Sequence, residues 1–555
     1  MKRSSGLILF FPFVLLLASC ASRTRNLQSK IDQYMQASMK IDHFMGSILV
    51  ALHGEVIVSK GYGMANEELG IPNTPQTEFR IGSITKQFTA MAILQLVAKG
   101  KLNVQDHICE YVPDCPKDWQ PITIYNLLTH TSGIPNFTSF PNYLKEESQP
   151  TTPTELLALF KDKPLDFKPG TKFSYSNSGY EVLGYIIQRV SGTTYQDFLQ
   201  KNIFQPLEME DSGYDKSHPT AKIHAQGYTY TPSGYKPSRY VNMTVPFSAG
   251  ALYSTVLDLY KWDRALHAGK LIPRKLLDEM LAPQVSMGGP LKAHYGFGWV
   301  ISTEYGHKEI SHGGGIEGFT SLNSWFPDDD AYIIVLDNVT SPEVGAVGRA
   351  LAAILFGKKY EIPRERKAIA MQPDELQKFV GQYQLAPKFI ITIRRTGDQL
   401  EAQATDQPSV AIFPESKLKF FYKVVDAQLS FVTSAKGDVT GLVLHQNGQG
   451  VPGKKISNTV PAFPKTISMP VSVLERYVGK YELAPDFVIT ITLAGDQLQA
   501  QATGQPSAPI FPESASEFFY KVVDAQITFV KDSGSHVTSL VLHQGGRDMP
   551  AKKIK

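Results

Sequence analysis

The sequence predicts an α/β chain of the α+β kind. An antiparallel sheet flanked by helices, with a helical subdomain, is followed by two small all-β, barrel-like domains. Three observations predict it. Strand-like segments lie at both ends of residues 27–360 and enclose the helical ones. A charged, proline-containing stretch, GKKYEIPRERKAIAMQP, then reads as a linker. Beyond it the chain repeats with an offset of 98 residues: VGQYQLAPKFIITIRRTGDQLEAQAT from Val380 matches VGKYELAPDFVITITLAGDQLQAQAT from Val478.

In the first block, GSILVALHGEVIVSKGYG (46–63) has β-branched residues on either side of His-Gly-Glu and reads as a hairpin. TKQFTAMAILQLVAKGKL follows, with apolar residues at spacings of three and four, and predicts an amphipathic helix closed by Gly100. NSGYEVLGYIIQRVSG, STVLDLYKWDRALHAG and VGAVGRALAAILFG fit further helices, and YGFGWVIS, GFTSLNSWF and AYIIVLDN fit strands. The repeats, assigned to 373–457 and 471–555, show short alternating strands with Gly-Asp turns at Gly397-Asp398 and Gly495-Asp496, so each reads as a small antiparallel barrel or sandwich. They read either as a buttress for the first block or as the source of a loop that enters a cleft in it.

Apolar residues at 42%, charged residues at 19% and a net charge of +3 describe globular domains and offer no electrostatic case for nucleic acid. Lys2 and Arg3 precede an apolar run too short to span a bilayer, which ends in Leu17-Ala18-Ser19-Cys20. That ending resembles the lipobox of bacterial lipoproteins. The resemblance implies a signal peptide over 1–19, acylation of Cys20, and an extracytoplasmic protein held to a bacterial membrane by lipid. Cys109 and Cys115 then remain, either as a small-loop disulfide or as two buried thiols. No cluster of ligating residues has the spacing of a metal site, and no cofactor is expected.

The chemistry centres on FRIGSITK. Ser83 and Lys86 are three residues apart, so on a helix the lysine amine can reach the hydroxyl, and burial would let it act as a base. The pattern has a decoy in Ser416-Lys417-Leu418-Lys419. Tyr175-Ser176-Asn177 has one in Tyr240-Val241-Asn242, and His312-Gly313-Gly314 has one in His267-Ala268-Gly269, which reads as a helix cap. Order separates signal from decoy. FRIGSITK, LLTHTSGIP, KPGTKFSYSNSGY, FSAGALYST and SHGGGIEGF, in that order over residues 35 to 355, resemble the serine hydrolases that include class C β-lactamases, D-alanyl-D-alanine carboxypeptidases, D-aminopeptidases and related esterases.

The resemblance implies a β-lactamase/transpeptidase-like fold, with Ser83 as the acylated nucleophile, Lys86 as its proton relay and Tyr175 as a general base or acid. It implies that Asn177, His312 and Gly314 bind substrate, with the N–H groups of Ser83 and Gly315 as the oxyanion hole. His130 reads as a structural hydrogen-bonder, and Thr255 with Asp258 as a helix cap. His312 stands where class C enzymes carry a permanent cation. A charged His312 holding a substrate carboxylate would make kcat/KM for carboxylate substrates fall as pH rises through about 6 to 7. The expected function is hydrolysis of D-amino-acid peptides or small esters, with a short peptide or small molecule as the partner. A class C-like β-lactamase and a non-turnover penicillin-binding sensor or pseudoenzyme are the alternatives.

Overall fold

A computed structural model describes residues 11–555 apart from 141, 217–223, 232, 289–291, 341–343, 388, 406, 424, 426, 447–448, 462–463, 485–486, 504, 506, 524, 545–546 and 555. The side chains of 11–23 and 449 also lie outside the description, so the acylation expected at Cys20 falls outside it. The chain divides into two compact units, Met1–Arg364 and Glu365–Lys555.

The first unit is built on an eight-stranded antiparallel sheet. Its strands are β1 (Gly46–Leu52), β2 (Glu55–Tyr62), β3 (Val285–Ser286), β4 (His294–Tyr295), β5 (Val300–Glu304), β6 (His307–Ile316), β7 (Phe319–Phe326) and β8 (Ala331–Asp337). The order is β3-β4-β5-β6-β7-β8-β1-β2, so the first hairpin pairs with the last strand and joins the two ends of the block. Helices α1 (Phe11–Ile41), α2 (Thr85–Ala98), α4 (Val256–His267) and α5 (Val344–Leu355) flank it, and α3 (Asn177–Ser191) packs on α2 in the helical subdomain.

Side-chain alternation explains the layers. In β1, Ile48 and Val50 enter one core with Ile31 and Met35 of α1 and Val347 and Leu351 of α5, while Leu49 and Ala51 enter the core of α2 and α4. Burial on both faces makes β1 and β8 continuously apolar rather than alternating. Helix α4 begins as its sequence predicts, with the Thr255 side chain accepting from the Asp258 amide at 3.1 Å.

Helix α2 differs from the amphipathic reading: Thr85 through Leu96 are buried on every side. It threads between the sheet and the helical subdomain, packing against α3, α4 and the helical turn Phe247–Gly250, so its polar Lys86, Gln87 and Thr89 are as enclosed as its apolar residues. Cys109 and Cys115 form a disulfide with a Cα–Cα distance of 5.3 Å. No helix among the described residues is long and apolar enough to cross a membrane.

The second unit holds two closed eight-stranded barrels, with strands running from Gly381 to Ser457 and from Gly479 to Lys553. Equivalent contacts recur at the 98-residue offset. The Ile369 amide donates to Pro414 O at 2.8 Å and the Ile467 amide to Pro512 O at 2.9 Å. Tyr383 and Tyr481 each donate at 2.7 Å to the carbonyl four residues back, and Lys423 and Lys521 lie 3.9 and 3.8 Å from the ring centroids of Phe413 and Phe511. Each barrel has its own apolar core.

Candidate active site

Ser83 sits in a 3-10 turn, Gly82–Ile84, that leads into α2. One turn later Lys86 is fully buried, and its Nζ lies 3.1 Å from Ser83 Oγ. The amine also donates to Asn177 Oδ1 at 2.8 Å and to the Ala249 carbonyl at 3.0 Å. Three separate elements therefore fix it: the Ser83 turn, the start of α3 and the turn Phe247–Gly250. Burial, with the Glu181 carboxylate acting the other way, pushes the Lys86 pKa down to about 7.

Tyr175 precedes α3, with its ring 4.9 Å from Lys86 Nζ and its hydroxyl hydrogen-bonded to Ser83. Burial raises its pKa, so the phenol keeps its proton at neutral pH, while the Ser83 contact acts in the opposite direction. His130 lies 4.2 Å from the Tyr175 ring, centroid to centroid, and its Nδ1 accepts from the Ser176 amide at 3.2 Å. Burial holds it neutral, well below the usual histidine range. Asn177 Nδ2 donates to Thr138 Oγ1 at 3.1 Å, which orients the side-chain oxygen that faces Lys86.

Strand β6 outruns its neighbour β5: the pairing stops at Ser311, so His312 through Ile316 have no β5 partner on that edge. There the strand meets the Ser83 turn. Gly82 has φ +48°, and a Cβ on it would stand 2.8 Å from the Gly315 amide nitrogen. A Cβ on Gly314 would overlap the Ile81 carbonyl oxygen, which also accepts from Ser321 Oγ at 2.9 Å. Glycine at both positions lets the strand backbone lie against the Ser83 turn. Gly315 instead faces open space.

A cavity of about 410 Å³ opens at this junction, lined among others by Ser83, Asn177, Gly315, Phe137 and Glu181. His312 does not line it. Its imidazole is buried, with Nδ1 donating to the Gly313 carbonyl at 2.6 Å and Nε2 accepting from the Tyr295 hydroxyl at 3.0 Å. Burial, then the nearby Lys86 charge, lowers its pKa to about 4. The falling limb expected for carboxylate substrates between pH 6 and 7 therefore has no charged His312 behind it.

The decoys separate cleanly. Ser416 Oγ accepts from the Lys419 amide in an exposed turn, Tyr240 is exposed, and Gly269 follows α4 at φ +63°. Sequence reasoning missed Glu181, Tyr295 and the Ala249 carbonyl. Of these, Glu181 had a signal: it stands four residues after Asn177, on the same helix face.

Residues 30–358 match the family model described as Beta-lactamase. The chain belongs to the β-lactamase family. Residues 365–455 and 464–553 each match a domain of unknown function, DUF3471. A putative penicillin-binding protein, PbpX, from Bacillus subtilis is 32% identical over 334 residues, covering 60% of this chain and 80% of that relative. A D-amino acid amidase from Ochrobactrum anthropi, solved with D-phenylalanine, is 25% identical with a TM-score of 0.54, covering 60% of this chain and 99% of its own. The octameric penicillin-binding protein homologue from Pyrococcus abyssi shares the fold over 85% of this chain and 97% of its own, with a TM-score of 0.57 and 24% identity. This β-lactamase-family chain thus lies in the serine β-lactamase and penicillin-binding protein superfamily, with D-amino acid amidases among its structural neighbours.

The two strand glycines generate a paired expectation. Gly314→Ala should displace the Ser83 turn and slow labelling of Ser83 by a small fluorophosphonate by about 100-fold, while Gly315→Ala should label within a few-fold of wild type. Equal labelling rates for the two variants would contradict the packing described.

Proposed function

We propose that the chain is an acyl-serine hydrolase with Ser83 as nucleophile, acting on D-amino-acid amides or peptides or on small esters. The observation that carries this is the buried Lys86 amine, 3.1 Å from Ser83 Oγ with a pKa near 7. A lysine at its ordinary pKa of about 10.4 would be almost wholly protonated at neutral pH and useless as a base. One near 7 is half deprotonated, and its pKa matches the working pH.

In acylation the neutral Lys86 amine takes the Ser83 proton as Oγ bonds to the substrate carbonyl carbon. The N–H groups of Ser83 and Gly315 receive the negative oxygen, each donor contributing about 3 kcal/mol in the transition state. As the C–N or C–O bond breaks, Tyr175 gives its proton to the departing atom and regains one from the Lys86 ammonium. Water then adds to the acyl-enzyme, losing a proton to the same relay, and Ser83 Oγ takes that proton back as its bond to the acyl carbon breaks and the acid is released. A protonated Tyr175 hydrogen-bonded to Ser83 suits the donor role rather than that of resting-state base. Neutral His312 disfavours the class C-like alternative, since no permanent charge stands there for a substrate carboxylate.

We also propose that the protein works outside the cytoplasm, anchored by lipid at Cys20 after removal of residues 1–19. In a bacterial host, metabolic labelling with a fatty acid should mark the wild type and not Cys20→Ser.

Ser83→Ala should reduce hydrolysis of a D-alanyl anilide and a p-nitrophenyl ester at least about 1,000-fold. For wild type, kcat/KM should rise with pH through an apparent pKa of about 7 as Lys86 loses its proton. Neutral and carboxylate substrates should give parallel profiles between pH 6 and 7. Full activity in Ser83→Ala would sink the mechanism.

A further inference from the structure

His130 takes no part in the acyl-transfer steps, and two of its features are locally unfavourable. Its backbone lies in the left-handed region at φ +56°, which a non-glycine residue seldom adopts. Its Nε2 is buried without a hydrogen-bond partner. Because Nδ1 accepts from the Ser176 amide, the neutral ring carries its own proton on Nε2, and that buried N–H goes unpaired. A buried donor left unpaired costs free energy, and an apolar ring of similar size would avoid that cost. What the imidazole supplies, and an apolar ring cannot, is the acceptor at Nδ1.

That acceptor is one half of a clamp. The His130 carbonyl accepts from the Ser174 amide at 2.9 Å, and Nδ1 accepts from the Ser176 amide at 3.2 Å. These amides flank Tyr175, so both chain neighbours of the tyrosine are tied to one residue. The imidazole also lies against the phenol ring, 4.2 Å away centroid to centroid. Tyr175 is thereby held along its backbone and across one face, with its hydroxyl hydrogen-bonded to Ser83. Burial, then the Lys86 charge, opposes protonation of His130, which would turn Nδ1 into a donor and break the Ser176 bond.

We infer that His130 is a positioning residue for Tyr175: its carbonyl and Nδ1 hold segment 174–176 so that the phenol stays at Ser83 and delivers its proton to the leaving group. This rests on the acyl-serine reading and goes beyond it by naming what aims the proton donor. Loosening the clamp should hurt most where the departing atom needs that proton. An amide nitrogen needs it, whereas p-nitrophenolate is stable as an anion and needs it far less.

Leaving groups and variants separate this role from a merely structural one. His130→Asn puts Oδ1 close to where Nδ1 stood and tolerates the left-handed backbone. His130→Gly keeps that backbone without the acceptor, and His130→Phe fills the space without it, so the comparison stays readable where one of them fails to fold. In both, kcat/KM for a D-alanyl anilide should fall at least about 100-fold, and that for p-nitrophenyl acetate less than about tenfold. His130→Asn should recover both substrates to within about tenfold of wild type. Hydrogen exchange followed by NMR reads the clamp without activity: the Ser176 amide should exchange slowly in wild type and His130→Asn, and fast in the other two. Equal losses on the two substrates, no recovery in His130→Asn, or an unchanged Ser176 amide in His130→Gly would overturn the inference. Wild type that turns over neither substrate through Ser83 would overturn the hydrolase reading instead, and the exchange rates would still decide the clamp.

Discussion

The Lys86 amine is enclosed where three segments of chain meet, and the site depends on that enclosure. Its partners are Ser83 Oγ, Asn177 Oδ1 and the Ala249 carbonyl, so satisfying one nitrogen fixes the Ser83 turn, the start of α3 and the turn Phe247–Gly250 against one another. Desolvation favours the neutral amine, while the Glu181 charge favours the ammonium. The result lies near neutrality, where small displacements of a proton are cheap. This also accounts for α2, which must run through the interior rather than along its surface to hold Lys86 away from water.

Much of this was legible locally. The hairpin at 46–63, the Thr255 cap and the 98-residue repeat depend on neighbours in sequence, and the structure reproduces each of them. The five ordered motifs gave the fold because the family fixes their relative placement. Less legible were features set by residues far apart in the chain. The apolar pattern of α2 shows one buried face, but Thr85 accepts from the Leu252 amide, Gln87 accepts from the Trp262 indole and Thr89 donates to the Ser248 carbonyl, and no pattern within the helix announces those partners. From its motif, His312 reads as a residue that charges near pH 6.5. Its contact with Tyr295, seventeen positions earlier, and its distance from solvent change its chemistry without changing its motif. The spacing of Cys109 and Cys115 permits the disulfide without requiring it, and the bond forms.

The glycines show how a motif and its packing can be one fact. Gly82 and Gly314 come from opposite ends of the first unit's sequence, yet each is small because the other's strand or turn lies against it. Glu181 shows the converse. It is invisible as a motif, but it bears on the charge of Lys86 and on the character of the cavity, and its helical spacing from Asn177 puts it there.

The chemistry of the site turns on the protonation of one lysine, and that can be read directly. NMR titration of the Lys86 side chain, assigned by comparison with a Lys86→Met variant, should give a pKa of about 7 in the resting protein. A value near the ordinary 10.4 or so of a solvated lysine would contradict it, leaving Ser83 without a base at neutral pH.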